Sequence, residues 1–144
     1  MIRGKWIRPG ESLVDILPLR EAIFQTGRDA LDDESWNALI FDGETPAAIG
    51  RIWWADGSFR LGMIGVLADH QGRGLGDLVI RLLLFKAQQH SAQEVALCCP
   101  AALAPFFAKY GFQAANPPQD PCLMTLSGRD ICLDRCQGCP HPCE

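Results

Sequence analysis

The apolar residues of this chain fall into helical and alternating runs that divide most of it into elements. From Leu75 they recur at Leu78, Val79, Leu82 and Leu83, the spacing of one helical face, so an amphipathic helix is expected to run toward His90. The residues before it, 59–66, are short and apolar-leaning, follow the turn pair Asp56-Gly57 and read as a β-strand. Residues 36–41 and 47–54 read as two more strands, separated by the Asp42-Gly43 turn, with Pro46 at the entry of the second, where no ladder donor is needed. Together the three make an antiparallel meander. Successive side chains of a strand alternate in direction, so at most one of Trp53 and Trp54 belongs to the core, and the other could line a cleft.

Flanking this centre, residues 18–25 read as a helix with Pro18 at its first position, Leu19, Ala22 and Ile23 on one face, and Gly27 as its end. Residues 95–99 form a compact apolar run suited to a buried strand, parallel to 59–66 because a helix crosses over between them, and Pro100 stops it. A second helix over 101–110 is capped by Gly111. Short strands over 112–114 and 122–126 then flank the proline-rich stretch 116–121. This order predicts an α/β fold (α+β in some schemes), with a mixed, mostly antiparallel central sheet and helices on both faces.

Composition adds bounds. At 144 residues, with 48% hydrophobic and 21% charged residues, the chain suits one core, and the expected division is a domain over 1–127 followed by a cysteine-rich tail over 128–144. No apolar run reaches the roughly 20 residues of a membrane span, and the first residues lack the apolar block of a signal peptide. A cytoplasmic protein with no membrane partner is expected. The net charge of -4 speaks against a nucleic-acid partner and is compatible with a cationic amine. The acid-rich residues 29–34 read as a solvated loop.

Between the 59–66 strand and the long helix lies Gln71-Gly72-Arg73-Gly74-Leu75-Gly76, with glycine at every second position. Bare Cα atoms let another molecule reach the backbone, and the start of a helix offers unpaired N–H groups under a partial positive charge. Anions bind such places. A P-loop is excluded because no Gly-Lys-Ser/Thr is present, and the glycine spacing differs from that of the dinucleotide-binding turn.

The same loop resembles the acyl-CoA signature of the GNAT N-acetyltransferase superfamily, (Arg/Gln)-x-x-Gly-x-(Gly/Ala) after a strand. A second stretch, Leu103-Ala104-Pro105-Phe106-Phe107-Ala108-Lys109-Tyr110-Gly111-Phe112, resembles that family's Ala-x-x-Phe-Tyr-x-Lys-Leu-Gly-Phe segment. The resemblance implies a splayed pair of parallel strands with the pantetheine arm of acetyl-CoA between them. Carried over, Ile64, Gly65 and Val66 would meet the pantetheine amides, and Gly72, Arg73, Gly74, Leu75, Gly76 and Asp77 would present backbone N–H groups to the pyrophosphate. Arg73 could add charge to that contact, while Asp77, in the first helical turn, suits capping. The acceptor implied is a primary amine of a small molecule or peptide, with residues 29–34 as an acidic rim, and the resemblance admits a homodimer.

The chemistry of acetyl transfer needs a neutral amine, donors for the developing oxyanion and an acid for the departing thiolate. The family's acid, a tyrosine, aligns with Phe107, which has no proton to give, and its frequent asparagine aligns with Pro100. Tyr110 aligns with a leucine and is expected to pack. Cys99 ends the parallel strand but has no neighbouring base, so a small buried residue is expected. Asp69 and His70 read as surface loop residues. No catalytic residue follows from the sequence, and a non-catalytic acyl-CoA-binding or metal-sensing module is the alternative to an N-acetyltransferase.

Four of the seven cysteines, Cys132, Cys136, Cys139 and Cys143, lie in the last thirteen residues, with Gly138, Pro140 and Pro142 forbidding a regular helix at the far end. Four thiolates suit tetrahedral Zn²⁺ and also an iron-sulfur cluster, while disulfides are disfavoured in a reducing compartment.

Overall fold

The computed structural model describes residues 1–115 and 119–133. Among these, seven strands and three α-helices give an α/β protein whose sheet is mixed and mostly antiparallel. Contact density divides the chain into two compact units, Met1–Trp54 with Leu61–Leu83, and Ala55–Arg60 with Leu84–Glu144.

In the first unit the strands run in the order β1 (Ile2–Ile7), β2 (Trp36–Asp42), β3 (Thr45–Ala55) and β4 (Ser58–Val66). The β2–β3 hairpin is antiparallel from Trp36↔Ile52 to Asp42↔Thr45, as its alternation and Asp42-Gly43 turn predict, and Gly43 takes φ +64. Strand β1, by contrast, was not expected. It pairs antiparallel with β2 from Ile2↔Asp42 to Ile7↔Asn37 but buries only Ile7. Its Arg3 and Lys5 suit an edge strand, where charge discourages further pairing, and with Gly4 between them they leave only Ile2 and Trp6 as a sparse alternation.

Both faces of this sheet are covered. On one, Leu39, Phe41 and Ile49 pack with Ile7, Leu13, Ile16 and Leu19, the last of these on α1 (Leu17–Phe24). On the other, a side chain placed at Gly50 would run into Val79 and Leu83 of α2 (Leu75–Gln89) at 2.6 and 3.0 Å, and one at Gly4 would touch Leu82. Helix α1 ends one residue earlier than expected. Gln25 adopts the left-handed conformation (φ 54) and turns its N–H back to the Arg20 and Glu21 carbonyls, so Gly27 is not the cap.

The acidic stretch after α1 departs further from expectation. Residues Ala30–Asp33 form a short 3-10 turn closed by a capping box between Asp29 and Asp32, and Asp32 turns fully inward. Arg20 grips it with both terminal nitrogens, at 2.5 Å each, and Arg51 reaches it at 3.3 Å. Burial pushes the Asp32 carboxyl upward, but the Arg20 hydrogen bonds, the Asp29 amide and the charges of Arg20 and Arg51 outweigh it and hold the group far below the usual carboxylate range. Arg51 also pairs with both oxygens of Asp29, and Arg28 with Asp33. Most of the expected solvated loop is therefore an ionic clasp fixing α1 to the hairpin.

In the second unit β5 (Glu94–Cys99) pairs antiparallel with β7 (Cys122–Ser127), which pairs with β6 (Gln113–Ala114). The expected helix over 101–110 is split into a 3-10 turn, Ala101–Leu103, and α3, Ala104–Ala108. Pro105 lacks an N–H and sits at the start of α3, where it costs nothing. Gly111, at φ +101, follows as its turn.

Candidate acyl-CoA site

Strand β4 enters the site with a distortion. Met63 has φ +51, a left-handed backbone inside a strand that a branched or bulky residue rarely adopts, and such kinks re-aim the strand's amides. All five residues from Gly62 to Val66 are half-buried rather than sealed into the core. Ile64 turns its side chain toward Gly50 of β3. Gly65 is bare for a packing reason as well: a Cβ there would lie 2.7 Å from Ile23 and 2.9 Å from Phe24 of α1. The Val66 carbonyl accepts from the Gln71 side chain at 3.3 Å, which ties the end of the strand to the loop that follows.

That loop leaves β4 through a 3-10 turn, Ala68–His70, and then opens. Gly72 and Gly74 take φ +82 and +79, and nothing lies within 4 Å of where a Cβ would stand on either. Glycine is needed here for its conformation, and the same absence of side chains leaves the backbone open. Leu75 buries its side chain and anchors the start of α2. The first helical N–H to reach back is that of Leu78, to the Gly74 carbonyl at 3.1 Å, so among the described residues the amides from Gly72 to Gly76 have no backbone acceptor. Asp77 accepts from Arg81 one turn on, at 3.0 Å. Open amides at the start of a fifteen-residue helix fit a diphosphate, which needs convergent donors and gains from the helix dipole.

A carboxylate that sequence reasoning had left in a turn stands beside this loop. Asp42 Oδ2 accepts from Arg73 Nη1 at 2.6 Å and from His70 Nδ1 at 3.1 Å. The hydrogen bond from His70, helped by the charge of Arg73, outweighs burial and lowers the Asp42 pKa. His70, expected as a surface loop residue, is half-buried and hydrogen-bonded to Asp42. In the same unit a cavity of about 240 Å³ is lined by Val14, Asp15, Pro18, Leu19, Ala22, Pro46 and Leu67, apolar apart from Asp15.

The chain resembles known proteins in sequence and in fold. A family model described as an acetyltransferase (GNAT) domain matches residues 34–114. The chain belongs to the GNAT acetyltransferase family. It is 30% identical over 114 residues to the uncharacterized N-acetyltransferase YjcF of Bacillus subtilis (strain 168), covering 74% of this chain and 81% of that protein. Two solved structures share the fold at lower identity. An acyl-CoA N-acyltransferase from Pseudomonas aeruginosa superposes with a TM-score of 0.78 at 19% identity, over 88% of this chain and 100% of that one. A GNAT family acetyltransferase from Elizabethkingia anophelis with acetyl-CoA bound gives 0.69 at 16%, over 88% and 97%.

In this GNAT domain the remaining candidates are Phe107 and Cys99 of the second unit, Trp53 and Trp54 of the first, and the tail cysteines. Phe107, in the place of the family's tyrosine, is buried and packs edge-on against Phe106 (5.0 Å) and Phe112 (6.2 Å). Its position is that of a core aromatic. Cys99 is likewise buried, burial pushes its thiol pKa up, and its Sγ faces Met124 Sδ at 3.9 Å, the setting of an inert thiol. Trp53 lies against Gly62 and under Arg51, while Trp54 is exposed. Of the tail cysteines, Cys132 is described and is disulfide-bonded; Cys136, Cys139 and Cys143 lie outside the described residues. Among the described residues no group of His, Cys, Asp and Glu gathers around a metal-sized centre, and no helix is long and apolar enough to cross a membrane.

Proposed function

We propose that this GNAT domain moves an acetyl group from acetyl-CoA to a primary amine in the cytoplasm, with residues 72–77 holding the pyrophosphate and Ile64, Gly65 and Val66 lining the pantetheine arm. One observation carries the reading: Gly72 and Gly74 hold the loop open in left-handed conformations directly before α2, with nothing within 4 Å of where a Cβ would stand on either. The cavity beside Leu67, apolar except for Asp15, suits a small amine with an aliphatic body. Incubation with acetyl-CoA and a panel of aliphatic, aromatic and peptide amines is expected to release free thiol in an amine-dependent way. Thiol release no faster than background across the panel, with acetyl-CoA binding intact, overturns the catalytic reading.

The buried, hydroxyl-free Phe107 favours a second reading, a module that binds acyl-CoA without turnover. It is supported by saturable acetyl-CoA binding together with that absence of thiol release. Where transfer does occur, solvent protonates the leaving thiolate. The metal reading of the tail draws only on the spacing of Cys132, Cys136, Cys139 and Cys143. A sulfur in a disulfide binds no metal, so its test is metal analysis of protein purified under reducing conditions.

A further inference from the structure

Asp42 is the last residue of β2, one before the left-handed Gly43, and a register shift between Ile40 and Phe41 directly precedes it. Such shifts redirect side chains at strand ends. Here a single oxygen, Oδ2, accepts from His70 on one side of Gln71-Gly72 and from Arg73 on the other. An ionised carboxylate can only accept, so the His70 Nδ1 is the protonated ring nitrogen. The loop between and after these two residues contains Gly72 and Gly74, the least restrained residue type, and a chain so free must be ordered before it can grip a ligand. Arg73 spends only Nη1 on Asp42, and the rest of its guanidinium stays in solvent, its side chain 59% exposed.

We infer that Asp42 is a positioning residue for acyl-CoA capture: it pins His70 and Arg73 to the β2–β3 hairpin, pre-orders the glycine loop and leaves the remaining Arg73 N–H groups for the diphosphate. The inference rests on the acyl-CoA reading of that loop. It makes the hairpin end part of the cofactor site although no atom of Asp42 need touch the cofactor.

The test is calorimetric titration of acetyl-CoA into the full chain, as wild type, Asp42→Asn, Asp42→Glu, Arg73→Ala and the Asp42→Asn/Arg73→Ala double variant. Asp42→Asn is expected to weaken binding about three- to tenfold, the range for one or two newly mobile side chains. KM for acetyl-CoA should rise by the same factor with kcat moved less, and Asp42→Glu should recover part of the loss. Acting through Arg73 and His70, Asp42→Asn should cost less in the Arg73→Ala background than in the wild type, because only the His70 contact remains to be lost. Binding by Asp42→Asn within about twofold of wild type, or losses that multiply in the double variant, overturns the inference. A wild type that binds no acetyl-CoA overturns the function proposed above and this inference with it. Should Asp42→Asn disturb the hairpin, seen as a lowered melting temperature, His70→Gln and Arg73→Ala probe the same contact from the loop side: affinity unchanged in both overturns the inference.

Discussion

Two clusters of carboxylates and guanidinium groups occupy the first unit, and they differ in what surrounds them. Around Asp32, the side chains of Arg20 and Asp32 are wholly buried and Arg51 nearly so, Asn37 adds a bond to Arg20 at 2.9 Å, and the geometry is bidentate. Around Asp42 the same chemistry is half open to water, with Arg73 mostly exposed. Charges sealed from water hold their partners because any separation leaves an unpaired charge in a poor solvent. Charges at the surface exchange partners at little cost. The first cluster therefore belongs to stability and the second is available to a ligand.

The sharpest way to break this contrast is Asp32→Ala, which strips the buried Arg20 of its carboxylate while Arg51 keeps Asp29, and is expected to cost about 3–5 kcal/mol in urea unfolding, while acetyl-CoA affinity of the folded fraction stays put. A loss below about 1 kcal/mol would merge the two clusters into one class. Next comes Gly74→Val, which forces a β-branched residue to φ +79. It is expected to weaken acetyl-CoA binding about tenfold or more through strain of about 1–3 kcal/mol, read by titration alongside melting.

The third sharpening uses pH. The folded Asp32 carboxyl titrates well below its unfolded value of about 3.9, so the unfolded chain takes up the proton first. Its contribution is then complete above about pH 5 and is lost as pH falls through 4 and below. Unfolding free energy measured from pH 6 down to 3 should fall in the wild type and slope less in Asp32→Asn. The smallest effect is expected of Arg28→Ala, which removes the exposed pair with Asp33 and should change stability by less than about 0.5 kcal/mol.

The glycine loop, α2, the two turns at Asp42-Gly43 and Asp56-Gly57 and the short run at Val95 to Cys99 were legible in the sequence, because each is written in local periodicity or in a residue type that a turn demands. What escaped notice depends on partners distant along the chain. Strand β1 carries only Ile2 and Trp6 as a sparse alternation around Arg3, Gly4 and Lys5, and its ladder with β2 supplies what the local pattern lacks. Asp32 looks like one acid among several until Arg20 and Arg51 close around it from α1 and β3. Asp42 was recognised as a turn residue, but its second role depends on His70, twenty-eight positions on. The kink at Met63 leaves no local trace, since nothing in Leu-Gly-Met-Ile-Gly marks methionine as the residue with φ +51.

The near approach of Ile23 and Phe24 to the bare Cα of Gly65 has a bearing on how new acceptors could be recruited. Bulkier groups on the inner side of α1's last turn would lever that helix off β4 and shift the ledge on which the thioester arm is proposed to rest. Diversification of amine choice is thereby steered away from this seam and toward Val14 and Asp15, whose side chains can change without prising the helix from the sheet.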